Sequence, residues 1–363
     1  MARKLFLDKI LFAVTLALVL VGVVMVFSAS HVLAEEKFGN PYYFLVRQSI
    51  WALLGLIGMS IVMHVDYRKY RRPFYVYGGL FVCAMLLVVV FFLGAHHNTY
   101  RWLRVGSFSL QPSELCKLAL IIFLASLLEK RISKVNDWRH TLLPCLVLLV
   151  VFLSLIIAQP DLGTSISIAA VAVSLLFCAG LRIKYLLGAF LITIPPLFCL
   201  IYFFQYRLQR ILIFLDPWSD PLGSGFQTVQ SLIAVGSGGL TGLGLMAGKQ
   251  KLFYVPEPHT DFIYAVIGEE WGLIGTLLVL GLFGIFLWRG VRLSLRAPDY
   301  FGRFLGVGLT TMIVCQAFVN MSVVLSLLPT KGIPLPFISL GGSSLLVSLL
   351  SVGILLNVSQ HSN

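Results

Sequence analysis

Apolar residues run along this chain in long unbroken stretches, not in the alternation of a half-buried strand or the stripe of a surface helix. The first, Ile10 to Phe27, is long enough to cross a bilayer, and similar runs follow to the end. Ten spans fit, at about 10–30, 44–65, 74–94, 113–129, 141–158, 164–181, 185–204, 262–288, 304–325 and 341–357. The expected fold is an all-α integral membrane protein, one polytopic domain over 1–363. Arg3, Lys4 and Lys9 before an apolar run imitate a signal peptide. Phe27-Ser-Ala-Ser30 is a weak cleavage site, however, so this run is read as the first helix.

Composition agrees with this pattern. Of 363 residues, 58% are hydrophobic and 12% charged, against roughly 25% charged in a soluble domain. The net charge of +12 does not point to nucleic acid, because the basic residues cluster in short loops between apolar runs. The N-terminus and the loops near 66–73, 129–140, 182–184 and 289–303 are basic. The short loops opposite hold only Lys37, Arg101, Arg104 and Lys331. The positive-inside rule makes the basic set, and both termini, cytoplasmic. The six cysteines (Cys83, Cys116, Cys145, Cys178, Cys199, Cys315) lie within or beside apolar runs without metal-ligand spacing and read as small buried hydrophobes.

This topology leaves one large extracytoplasmic loop, 205–261. Loops of that length are usually functional. Its glycine-rich piece, Gly236 to Gly248, includes Gly242-x-Gly244-x-x-Ala247, but no strand precedes it. Gly248-Lys249 lacks the other P-loop residues. Tight turns and close backbone packing explain these glycines better than a nucleotide. The two halves of the chain show no convincing repeat.

Polar residues that resist a purely structural reading gather on the outer side. Val255 to Gly275 begins with Glu257, His259, Thr260 and Asp261 and then enters an apolar run carrying Glu269 and Glu270. Carboxylates in or at the mouth of a membrane helix are costly and are functional candidates. Glu114 suits the first turn of a helix begun by Pro112, with Lys117 in i,i+3 reach. Lys117 lies deeper and needs an anion or water. Gln159-Pro-Asp161-Leu-Gly-Thr164 reads as a turn held by an aspartate side chain. Lys331 precedes Ser343 and Ser344 at the start of the last helix, where free amides favour an anion, or where a serine simply caps the helix. Arg207 and Arg210 suit either lipid phosphate or a substrate. Arg101, Lys117, Arg207, Arg210 and Lys331 are thus candidates to line an outward basic cavity beside Asp261. A diphosphate leaving group needs such cations, and an attacking sugar hydroxyl needs a base. His96, His97 and His259 are too scattered to indicate a metal.

These residues in this order resemble the SEDS family (shape, elongation, division and sporulation). The blocks are Arg101-Trp102 with Gln111-Pro-Ser-Glu114-x-x-Lys117, Gln159 to Thr164, and Phe214-x-Asp-Pro-Trp to Gln227. They continue with Pro256-Glu257-x-His-Thr-Asp-Phe-Ile263, Gly268-Glu-Glu270 and Leu328-Pro to Ser344. Asn98 and Leu340 depart from the usual glycine and tyrosine. Phe27-Ser-Ala-Ser30 and Leu328 to Gly332 look more like the division branch, FtsW, than the elongation branch, RodA. The resemblance implies a peptidoglycan glycosyltransferase that joins lipid II units, with undecaprenyl diphosphate leaving and Asp261 as general base. It further implies a class B penicillin-binding protein as partner, other division proteins, and a divalent cation, Mg2+ or Mn2+, with no readable ligands. A lipid II flippase would instead concentrate its charges near the bilayer midplane. A noncatalytic scaffold would tolerate loss of Asp261.

Overall fold

The computed structural model describes residues 7–92, 101–105, 108–203, 205–249 and 258–362. His96, His97, Asn98, Pro256 and Glu257 lie outside these residues, as do the side chains of Arg104 and Arg207. Twelve α-helices and one small hairpin are described. They are α1 (Lys9–Phe38), α2 (Tyr43–Met63), α3 (Pro73–Phe92), β1 (Leu103–Val105), β2 (Phe108–Leu110), α4 (Pro112–Lys130), α5 (Leu143–Ala158) and α6 (Leu162–Cys178). After these come α7 (Ile183–Tyr202), α8 (Gln205–Leu215), α9 (Phe226–Ser237), α10 (Ile263–Leu295), α11 (Tyr300–Val324) and α12 (Gly342–His361). The antiparallel hairpin β1–β2, with Leu103 opposite Leu110, qualifies the all-α expectation.

Helices lie at all ten predicted places. Seven are long and apolar enough to cross a membrane. Of the other three, α4 carries Glu114, Lys117, Glu129 and Lys130, α6 has 17 residues, and α7 runs for 20 residues with Pro195-Pro196 in its interior. The outward surface is a band of exposed large apolar side chains, including Leu53, Phe81, Val150, Phe190 and Ile274. Water would not tolerate that patch, whereas acyl chains solvate it. Cys178 and Cys199 face this surface, contrary to their reading as buried; Cys83, Cys116 and Cys145 are buried.

Short polar residues mark the helix starts. Asp8 accepts from Leu11 N–H at 2.9 Å, Asp161 from Thr164 N–H at 3.2 Å and Asp299 from Gly302 N–H at 2.7 Å. The bundle then closes by small-residue contact, the usual device where no hydrophobic effect separates helix from lipid. Helix α12 lies at the centre, buried through most of its length, with Gly55 of α2 against Leu349 and Gly353 against Met59. Gly290 of α10 meets Thr310, and Gly306 of α11 meets Ser294.

The start of α1 and the end of α12 lie at one end of the bundle. Asp8 pairs with Arg289 at 2.5 Å, and its N–H donates to Ser359. Nearby, the Tyr67 hydroxyl donates to Asp299 at 2.6 Å and Arg68 pairs with the same carboxylate at 3.2 Å. The candidate polar residues gather at the opposite end.

The expected loop 205–261 is not a loop for much of its length. It contains α8 and α9, and the glycine-rich stretch after α9 interlocks with α10. Helix α10 breaks at Gly272 (φ 64°, ψ −157°). Around the break, Leu243 and Gly244 N–H donate to the carbonyls of Glu269 and Glu270, and Leu273 and Ile274 N–H donate to Gly239 and Leu240. The buried carboxylates are met by this same stretch. Glu269 accepts from Lys249 N–H at 2.6 Å, while Glu270 accepts from Met246 N–H at 3.1 Å and Ser28 hydroxyl at 2.6 Å. Close backbone packing is therefore what these glycines provide, and Glu269 and Glu270 brace the break rather than line an open site.

Candidate active site

Asp261 ends the segment that leads into α10, and a connecting strap between α11 and α12, residues 325–341, crosses in front of it. Three polar ties hold segment and strap together. The Leu340 N–H donates to the His259 carbonyl at 2.9 Å, and the Ser339 hydroxyl donates to the Thr260 carbonyl at 2.5 Å. The Asn320 amide of α11 donates to the carbonyls of both Asp261 and Ile333 at 2.8 Å. His259 is buried, with its ring 4.6 Å from that of Phe44, so it supports the segment rather than facing a ligand. The Asp261 carboxylate lies against Gly332, where an added Cβ would come within 3.0 Å of Oδ2. Only glycine lets the strap pass this close without moving the acid.

Two cations stand on or beside this strap, Lys331 within it and Arg210 against it. Arg210 of α8 donates to the Thr330 carbonyl at 3.1 Å, which places its guanidinium beside Lys331. Burial, and then the Arg210 charge, push the Lys331 ammonium below the ordinary lysine pKa of 10.5. Two like charges held together, one partly stripped of water, favour an anion between them. Arg210 is exposed.

Glu114 and Lys117 form the expected i,i+3 pair at 2.8 Å, with both side chains almost wholly buried. The Lys117 ammonium also meets Gln316 Oε1 at 2.6 Å, and the Gln316 amide reaches the Pro334 carbonyl at 3.0 Å and Ser344 at 3.4 Å. This network borders a narrow cavity of about 20 Å³ lined in part by Glu114, Lys117, Thr164, Gln316 and Gly332. That volume suits one water and not a diphosphate. Lys117 thus differs from the anion ligand the sequence suggests. Its charge is answered inside the protein, directly behind the strap that carries Lys331.

Asp161 behaves as its turn predicts, and it also accepts from Gln111 at 3.0 Å and from the Thr164 hydroxyl at 2.8 Å. Arg101 donates to the Gln159 and Pro160 carbonyls, clamping that turn. Ser343 is buried and accepts from Gln111 N–H at 3.3 Å. Helix α12 is capped by Gly341 without a side-chain bond, and Trp51 packs on Gly342. Neither the serine cap nor an open anion site at this terminus is present. Of the proposed basic set, Arg210 and Lys331 stand beside one another at the strap whose Gly332 lies against Asp261, while Arg101 and Lys117 sit in supporting networks. Arg207 belongs to α8.

Sequence reasoning passed over Gln316 and Asn320, which lie one turn apart in an apolar helix. A single amide in such a run is itself a signal, because in lipid it must find a polar partner. Among the described residues no three His, Cys, Asp or Glu side chains gather as metal ligands.

Comparison with known proteins agrees with this architecture. A Geobacter metallireducens protein described as a probable peptidoglycan glycosyltransferase FtsW is 48% identical over 357 residues, covering 98% of this chain and 95% of the relative. Stage V sporulation protein E of Bacillus subtilis is 44% identical over 98% of this chain and 97% of its own. A chain from a solved peptidoglycan synthase complex, in which polymerization and crosslinking are coordinated, superposes with a TM-score of 0.80 at 32% identity and 98% coverage of both chains. The rod shape determining protein RodA of Thermus thermophilus superposes with a TM-score of 0.72 at 29% identity, covering 98% of this chain and 97% of its own. The profile of the FtsW/RodA/SpoVE cell cycle proteins matches residues 8–363, and the chain belongs to that family.

Proposed function

We propose that this chain is a peptidoglycan glycosyltransferase that polymerises lipid II on the outer face of the bacterial cytoplasmic membrane during cell division. The observation that carries the reading is the Asp261 carboxylate lying against a strap whose Lys331 stands beside Arg210. In this reaction the acceptor sugar's 4-hydroxyl oxygen attacks the anomeric carbon of the donor from the face opposite the diphosphate. A new C–O bond forms, the bond to the diphosphate breaks, and the configuration inverts. The hydroxyl proton passes to the Asp261 carboxylate as attack proceeds. Undecaprenyl diphosphate leaves with its growing negative charge facing Arg210 and Lys331, cations already in place before the bond breaks.

Glu114, Lys117 and Gln316 support the strap from behind. A flippase fits less well, because the candidate charges gather at one end of the bundle instead of midway along it. Crosslinking of the product falls to a partner, a class B penicillin-binding protein, in keeping with the synthase complex that this fold resembles.

The test is polymerisation of lipid II by the purified protein, with and without that partner, with glycan strands resolved on a gel. Wild type forms polymer and Asp261→Asn forms none at equal folded yield. Polymer from well-folded Asp261→Asn would remove the base, and the scaffold reading would then take its place.

A further inference from the structure

Asn320 sits in the apolar body of α11 and is 1% exposed. Its Nδ2 donates to the Asp261 carbonyl and to the Ile333 carbonyl, both at 2.8 Å. Because both partners are acceptors, the orientation of the amide is fixed: turned over, it would aim Oδ1 at two oxygens. An amide in a membrane helix commonly bonds to a neighbouring helix. This one bonds to two connecting segments, the one that carries the candidate base and the one that carries Lys331 and Gly332. The ties from Ser339 and Leu340 act on Thr260 and His259. Asn320 acts on the Asp261 peptide itself.

We infer that Asn320 is a positioning residue, whose single NH2 group sets the distance between the Asp261 carboxylate and the strap that receives the diphosphate. This rests on the glycosyltransferase reading above. The role needs two donors on one short, rigid stem. Leucine has the size but leaves both carbonyls unpaired. Aspartate has the shape but turns acceptors toward acceptors. Glutamine keeps the donors on a longer stem. A shift of about 1 Å in a catalytic group costs on the order of 10²-fold in rate.

The experiment compares lipid II polymerisation kinetics of wild type, Asn320→Leu, Asn320→Asp and Asn320→Gln, with thermal stability read on the same preparations. The expected result is a kcat lower by about 10²-fold in the two variants without the donor, with KM for lipid II nearly unchanged, and partial recovery in Asn320→Gln. If Asn320→Leu does not accumulate, the near-isosteric Asn320→Asp carries the comparison. Wild-type kcat in either donor-less variant would overturn the inference. So would a loss that follows melting temperature alone, a rise in KM at unchanged kcat, or a Gln variant as slow as the other two. Failure of the function itself is separately visible, because it appears as polymer made by Asp261→Asn.

Discussion

Gly272→Ala tests the interlock between α10 and the glycine-rich stretch. At φ 64° and ψ −157° the backbone lies in a region that residues with a Cβ rarely adopt, which costs about 1–3 kcal/mol. The new Cβ would also fall 2.4 Å from Gly242 N and 2.7 Å from the Leu240 carbonyl carbon and oxygen. All three are backbone atoms, unable to swing aside as a side chain would, so overpacking adds about 1–3 kcal/mol. The expected total is roughly 2–6 kcal/mol. Gly281→Ala is the matched control, on the same helix with nothing within 4 Å of the added carbon. There alanine should be neutral or stabilising by up to about 1 kcal/mol. In detergent or nanodiscs, Gly272→Ala should melt lower than wild type by about 3–8 °C. Hydrogen exchange should quicken first in 239–249, where the exchanged backbone bonds lie. Equal melting of the two alanine variants would refute the claim that this break is held by backbone contact.

Removing Lys117 alone, as Lys117→Met, strands a buried carboxylate and should cost about 3–5 kcal/mol. The double variant Glu114→Gln/Lys117→Met should recover much of that loss in a thermal unfolding series, whereas additive losses would show that the two charges do not depend on one another. Alkaline pH should act on Lys331. Its pKa is lowered by burial and then by Arg210, so in the free enzyme its proton leaves below pH 10.5, and donor binding that needs the ammonium weakens as pH rises through that lowered value. Profiles of kcat/KM against pH should therefore fall on the alkaline side, and Lys331→Arg should move that limb upward. An unchanged limb in Lys331→Arg would assign it to another group.

The helix positions were legible because apolar runs of bilayer length have few alternative structures. The Asp161 turn and the Glu114–Lys117 pair were legible because both are local, with partners three residues apart. What escaped was long-range. Nothing beside Lys117 reveals that Gln316 completes its coordination, so the lysine read as a ligand for substrate. Segment 205–261 read as a loop because glycines and polar residues carry no apolar pattern. The order of its stretch 239–244 comes from backbone bonds to α10, which side-chain periodicity cannot encode. Asn320 was overlooked for the opposite reason, a lone amide hidden by the hydrophobicity around it.

The break in α10 also bears on exchanging pieces between relatives. Stretch 238–249 and helix turns 268–276 are joined by one set of backbone hydrogen bonds and by two carboxylates, so each fits only its own counterpart. A chimera that transplants one without the other would join surfaces fitted to different counterparts, however similar the two parents look when aligned.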